Sequence, residues 1–267
     1  QGLKRGATVV GGAPRYDVNG PAQIERIFSL AKDFDVDIDI HGDGGYTTDD
    51  MMIWQICDLT DRMGWGGRVA LGHGNKYGCL PQTELEALGK RLASSGVAIS
   101  VLPTTDLFTS GRHQEHSVMR GVADANALIA QGANCSIATN NVLNPFTPYG
   151  DCSLIRIANL YANVVQRGTE KDLADCFAMV SDRAARILRK DDYGVAVGRP
   201  EAGEAFQGVP AVVGAAYAPG GLAPTSSVYG RSDSPSKTKS ELNWTSIVPT
   251  RVAARASDRM RRSTKAS

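Results

Sequence analysis

The stretch Asp35-Val36-Asp37-Ile38-Asp39-Ile40-His41-Gly42-Asp43 decides the fold. Acidic and aliphatic residues alternate along it, the period of a strand with two unlike faces. It ends in a histidine followed by a cluster of glycines. Two later runs end alike: Arg68-Val69-Ala70-Leu71-Gly72-His73, and Cys135-Ser136-Ile137-Ala138-Thr139-Asn140-Asn141. In each, an apolar segment gives way to a side chain that can bind a metal or make strong hydrogen bonds. Polar chemistry at the C-terminal ends of successive parallel strands is how a β/α barrel builds its active site.

Working outward, strands and helices alternate with a period of roughly 30 residues, the length of a βαβ unit. Strands are predicted at 7–12, 35–41, 68–73, 97–102 and 133–139. Helices are predicted at 21–32, from a Thr48-Asp49-Asp50 cap to about Met63, and at 81–94, 117–131, 151–166 and 171–189. Residues 103–116 read as a long polar loop carrying Arg112, His113 and His116. The fold class is α/β, a partial TIM-like (β/α) barrel of about five parallel strands where closure needs about eight. The chain opens on Gln1, with residues 1–6 resembling the end of a helix, so a fragment is expected. Unclosed edge strands recruit partners, and a homo-oligomer is the corresponding expectation.

Composition excludes several classes. A net charge of +1 gives no bulk attraction to nucleic acid or to a membrane surface, and no apolar run is long enough to span a bilayer. Cys57, Cys79, Cys135, Cys152 and Cys176 form no C-x-x-C pair, which fits free thiols in a cytoplasmic protein. The periodic pattern fills residues 1–200. From 201 to 267 it dissolves into Gly, Ala, Pro and Ser with a basic end, a composition expected to stay disordered.

Taken together, the Ile38–His41 run, the Arg68–His73 run and the segment 132–150 resemble the cytosine-deaminase-like branch of the amidohydrolase superfamily. Ser181-Asp182-Arg183-Ala184-Ala185-Arg186-Ile187-Leu188 and Asp192-Tyr193-Gly194-Val195-Ala196-Val197-Gly198 resemble that family's stretch just after the barrel. The resemblance implies a metal-dependent hydrolase acting on non-peptide carbon–nitrogen bonds, with a small nitrogen heterocycle, cyclic amidine or amide as substrate. It implies a divalent metal, zinc or iron, with His41 as a ligand and His73 binding metal or substrate. The family's metal-binding aspartate falls on Asn140, and its catalytic glutamate falls on Gly44, which leaves Asp43 as the nearest carboxylate for proton transfer. Asn141 and Asn144, in the Thr-Asn-Asn-Val-Leu-Asn-Pro run, are the expected substrate-binding residues. The family's His-x-His pair has no counterpart in this sequence.

The departures matter chemically. Hydrolysis at neutral pH needs a strong nucleophile, which a metal supplies by acidifying bound water. Such a site usually holds its ion with about three protein ligands, and a carboxylate must move the proton. An uncharged Asn140 weakens both functions. The residues themselves leave simpler roles open: Asp43 as a cap for the following segment, Asn140 and Asn141 as turn formers, His113 and His116 as solvated loop residues. A catalytically inactive remnant that only binds a ligand or a partner subunit is the alternative reading.

Overall fold

The computed structural model describes residues 1–190, 192 and 193. The expected tail at 201–267, and the post-barrel run 192–198 apart from Asp192 and Tyr193, lie outside the described residues.

Five strands, β1 (Val9–Gly12), β2 (Asp37–Gly42), β3 (Val69–His73), β4 (Val97–Val101) and β5 (Cys135–Ile137), form one parallel sheet in sequential order. Helices α1 (Gly20–Phe34), α2 (Ile53–Met63) and α3 (Gln82–Ser95) connect the first four strands. A short α4 (Pro103–Thr109) and α5 (Ala125–Ala130) lie between β4 and β5. Helices α6 (Leu154–Val164), α7 (Glu170–Met179) and α8 (Asp182–Ile187) follow the last strand. This is the expected α/β arrangement of consecutive β/α units.

Residues paired across a parallel sheet share a face, so the register separates two unlike surfaces. One face stacks Ile38, Val69 and Val97, then Ile40, Leu71, Ile99 and Cys135, all buried. These pack in one core with Ile24, Phe28, Ile53, Ile56, Leu88 and Leu92 from the first three helices. Each such side chain contributes roughly 1.5–3 kcal/mol by leaving water. The other face carries Gly11, Asp39, Ala70 and Ala98 in one row and His41, Gly72, Ser100 and Ser136 in the next. The acid–aliphatic alternation of β2 is thereby explained: Ile38, Ile40 and Gly42 turn to the helices, and Asp37, Asp39 and His41 to the polar face. Asp37 receives Arg68 Nε at 2.7 Å and Arg189 Nη1 at 3.0 Å.

Several predicted elements differ. Helix α2 starts at Ile53 without a side-chain cap from Thr48, Asp49 or Asp50; its first amides are held from a distance by Asp43. The predicted helix 117–131 shrinks to α5, because Asp124 caps the helix by accepting from Ala127 N at 3.1 Å. The predicted loop 103–116 begins instead as α4, whose Pro103 suits the first helical turn. The single helix expected over 171–189 is two, broken at Val180 and Ser181.

Candidate active site

The polar strand ends gather where β2, β3 and β5 finish. The chain leaves these ends through left-handed backbone at Asp43 (φ 49°), His73 (φ 80°) and Asn140 (φ 54°). Asp and Asn tolerate this region, whereas a histidine there carries strain that the surroundings must offset. Register places His73 opposite Gly42, in the helix-facing row. The turn at φ 80° brings its ring to His41 instead.

The result is a line of three side chains. His41 Nδ1 lies 2.9 Å from His73 Nε2, with the rings edge to face at 4.8 Å between centroids. His73 Nδ1 lies 2.6 Å from Asp106 Oδ1 on α4. Asp106 is buried, and its Oδ2 has no hydrogen-bond partner among the described residues. Burial raises the Asp106 carboxyl above the usual range, opposed by its bond to His73. Burial, then the neighbouring His73, lowers His41 from 6.5 to about 3, so this imidazole is neutral in ordinary buffers.

Asp43 has a different setting. It is 1 % exposed, and its carboxylate accepts from Met52 N at 2.6 Å, Ile53 N at 3.1 Å and Tyr77 Oη at 2.8 Å. It caps α2 and satisfies a fully buried tyrosine. Burial outweighs these three bonds and raises its pKa. Asn75, also buried, accepts from Gly45 N at 3.1 Å and ties down the glycine loop after β2. Beside it, a Cβ at Gly44 would fall against Nη1 of Arg15, so a cation's tip fills the space next to the position where a glutamate was anticipated.

The asparagines divide. Asn140 ends β5 with its Nδ2 buried and without a hydrogen-bond partner among the described residues. Asn141 donates from its backbone and side-chain nitrogens to Thr105 Oγ1 at 3.3 and 3.4 Å. Asn144 donates to Asn141 Oδ1 at 2.8 Å and accepts from Phe146 N and Thr147 N. Asn141 and Asn144 thus use their polar groups to shape the 141–147 loop and fix it to α4. His113 and His116 are exposed, with His113 near the Tyr46 ring.

His41 and His73, both expected at the site, lie side by side, and Asp106, Tyr77 and Asn75 join the cluster without having been anticipated from the sequence. The signal for Asp106 was present: Thr104-Thr105-Asp106 directly follows the β4 strand end at Pro103, where barrel active-site residues belong.

No group of three His, Cys, Asp or Glu side chains among the described residues is placed to hold a metal ion. The two imidazoles face each other through one nitrogen each, Asp106 is engaged with the far side of His73, and Asn140 brings no charge. The described residues do not complete a metal site. Among them, all five cysteines are free and no helix is long and apolar enough to cross a membrane.

Comparison with known proteins gives a consistent picture. Residues 4–200 match the family described as the amidohydrolase family. The pterin deaminase of Rhizobium rhizogenes is 25% identical over 200 residues, covering 74% of this chain and 45% of that protein. The N-isopropylammelide isopropyl amidohydrolase of a Pseudomonas species is 24% identical over 205 residues, covering 74% and 46%. Among solved structures, 5-methylcytosine deaminase from Klebsiella pneumoniae, liganded with 5-fluorocytosine, aligns with a TM-score of 0.69 at 27% identity. That alignment covers 74% of this chain and 49% of the deaminase. The chain spans about half the length of the relatives it matches.

Proposed function

Because this chain belongs to the amidohydrolase family, we propose that its strand-end cluster serves hydrolysis of a non-peptide carbon–nitrogen bond in a nitrogen heterocycle, releasing ammonia or an amine. The relatives named for deamination of a pterin or of 5-methylcytosine, and for removal of an isopropylamine group from N-isopropylammelide, support this substrate class.

The observation that carries the reading is the continuous line His41–His73–Asp106 at the strand ends. His73, anchored by Asp106, is assigned to bind the substrate's ring nitrogens and to exchange a proton with the reacting groups, work that an imidazole performs at neutral pH. His41 remains neutral beside it. The row level with His41 carries the small residues Gly72, Ser100 and Ser136 on the polar face. Asp43 is assigned to structure rather than proton transfer, since donors of α2 and Tyr77 hold its carboxylate. Family members use a divalent metal, zinc or iron in our reading, but the ligand set among the described residues is incomplete and no step is assigned to an ion.

A second reading, a ligand-binding protein without turnover, is favoured by Asn140 in place of an acid and by the lack of a third ionisable ligand among the described residues. Incubation with aminopterins, aminopyrimidines and N-alkylamino-triazines, read as ammonia or amine release, separates the two. Turnover of one class supports the hydrolase. Saturable binding without nitrogen release supports the second reading.

A further inference from the structure

We infer that a cavity behind α4 is a second binding site, suited to a flat aromatic carboxylate and separate from the strand-end cluster. The inference does not depend on the proposed function, because it concerns the face of α4 turned away from His73.

Helical spacing sorts α4 into two faces. Asp106 reaches His73, whereas Thr104, Leu107 and Phe108, three and four positions apart, share the other side. With Tyr149 of the loop after β5 and Leu160 of α6 they line a space of about 580 Å³, within the range of small-molecule pockets.

Two cations flank that space. Gly111 takes left-handed backbone (φ 64°), and just beyond this turn the Arg112 guanidinium carbon lies 4.7 Å from the centre of the Phe108 ring. Arg120 donates through Nη1 to Leu107 O at 3.2 Å and to Ser110 O at 3.3 Å, which leaves Nε and Nη2 without a partner among the described residues. Neither guanidinium forms an ion pair among the described residues, and no described Asp or Glu lines the cavity. The walls are aromatic, with Phe108 and Tyr149 edge to face at 5.8 Å between centroids. Ser110 adds an independent observation. It lines the same cavity and is 1 % exposed, yet its Oγ has no hydrogen-bond partner among the described residues. Buried hydroxyls are ordinarily paired, so an unpaired one beside two unneutralised guanidinium groups points to a ligand acceptor.

Charge and shape then select the ligand. Paired guanidinium groups repel a cation and recognise a planar oxyanion through their forked N–H donors. The rings offer faces and edges to an aromatic body. An aryl carboxylate of one or two rings meets both requirements, with its carboxylate toward Arg112 and Arg120 and its ring against Phe108 and Tyr149.

Equilibrium dialysis of the full chain with 2-naphthoate, and with its uncharged analogue 2-naphthylmethanol, tests the site. The wild type should bind one equivalent of naphthoate saturably, and the alcohol about tenfold or more weakly, as loss of a charged hydrogen bond implies. Arg112→Gln breaks no described hydrogen bond of the fold and should weaken naphthoate by a similar factor. Arg120→Gln should do the same if circular dichroism shows it folded. His73→Ala should bind naphthoate as the wild type does. A folded wild type without saturable naphthoate binding at millimolar concentration overturns the inference. Equal affinity for acid and alcohol, or unchanged affinity in Arg112→Gln, overturns it too. Loss of binding in His73→Ala would move the ligand to the strand ends and be equally decisive against it. Failure of every nitrogen-release assay bears only on the hydrolase reading.

Discussion

Replacing Asp43 with alanine separates two roles for one carboxylate. In the structure it accepts from two amides that open α2 and from the hydroxyl of Tyr77, which is 0 % exposed. Removing it strands three donors in a region water reaches poorly. Each buried donor left unpaired costs about 1–3 kcal/mol, and loss of a helix cap alone typically costs about 1 kcal/mol. The change also relieves the burial of a carboxyl whose pKa is raised by desolvation, which returns part of the loss. A net destabilisation of about 3–4 kcal/mol is expected, a large fraction of the roughly 5–15 kcal/mol that holds a domain folded. Urea unfolding of wild type, Asp43→Ala, Tyr77→Phe and the double variant measures it. Tyr77→Phe alone should cost about 1 kcal/mol, and the pair should be coupled by about 0.5–3 kcal/mol, as neighbours sharing a bond are. An Asp43→Ala protein within about 0.5 kcal/mol of wild type, the range of an ordinary surface substitution, would refute the capping role and return Asp43 to the candidates for proton transfer.

Other expectations follow from the same geometry. His41 titrates near 6.5 when unfolded and about 3 when folded, so its contribution is complete above about 6.5 and is lost as pH falls toward 3. At about 1.4 kcal/mol per pH unit that loss is on the order of 5 kcal/mol, and acid unfolding of His41→Asn should lack it; equal acid sensitivity would contradict the assignment. Asp43 and Asp106 act oppositely, since their raised pKa values favour the folded state at low pH and lose that contribution as pH rises. Among the thiols, Cys152 is exposed while burial pushes Cys135 up to about 12. Alkylation of the native protein near pH 8, followed by peptide mass spectrometry, should label Cys152 first and Cys135 last, and equal rates would argue against this packing. A methyl group at Gly44 would collide with the movable tip of Arg15 and make an ordinary contact with Asn75 Oδ1, whereas one at Gly11 meets the backbone carbonyl of Asp39. Gly44→Ala should therefore stay within about 1 kcal/mol of wild type, while Gly11→Ala should lose roughly 1–3 kcal/mol or more by overpacking; comparable melting temperatures for the two would contradict the close approach of β1 and β2.

The fold was legible where period and burial agree. β2 and β3 carry their faces in the sequence, because alternating Asp–Ile and a Val-Ala-Leu run can each be satisfied in one register. Helix ends were less legible. The cap of α2 comes from Asp43, nine residues before the first amide it holds, so no local pattern such as Thr48-Asp49-Asp50 could report it. The stretch 117–124 was expected to be helical; its apolar Val122 and Ala123 are buried, but in irregular backbone ahead of the Asp124 cap. His41 and His73 stood out at strand ends. Asp106 did not, because its value lies in contact with a residue 33 positions away across two β/α units. Asn141 and Asn144 sat in a run that suggested substrate contact, yet their side chains bond to the loop and to Thr105.

On the proposed function, His41 and His73 form the reactive centre of a nitrogen-releasing hydrolase. The most direct test is the rate of ammonia or amine release from the best heterocycle in the panel, compared among wild type, His41→Ala, His73→Ala and the exposed control His116→Ala. Orders-of-magnitude loss in the first two variants, with folding intact and the control unchanged, is the expected result. Wild-type rates in His41→Ala and His73→Ala would contradict the account.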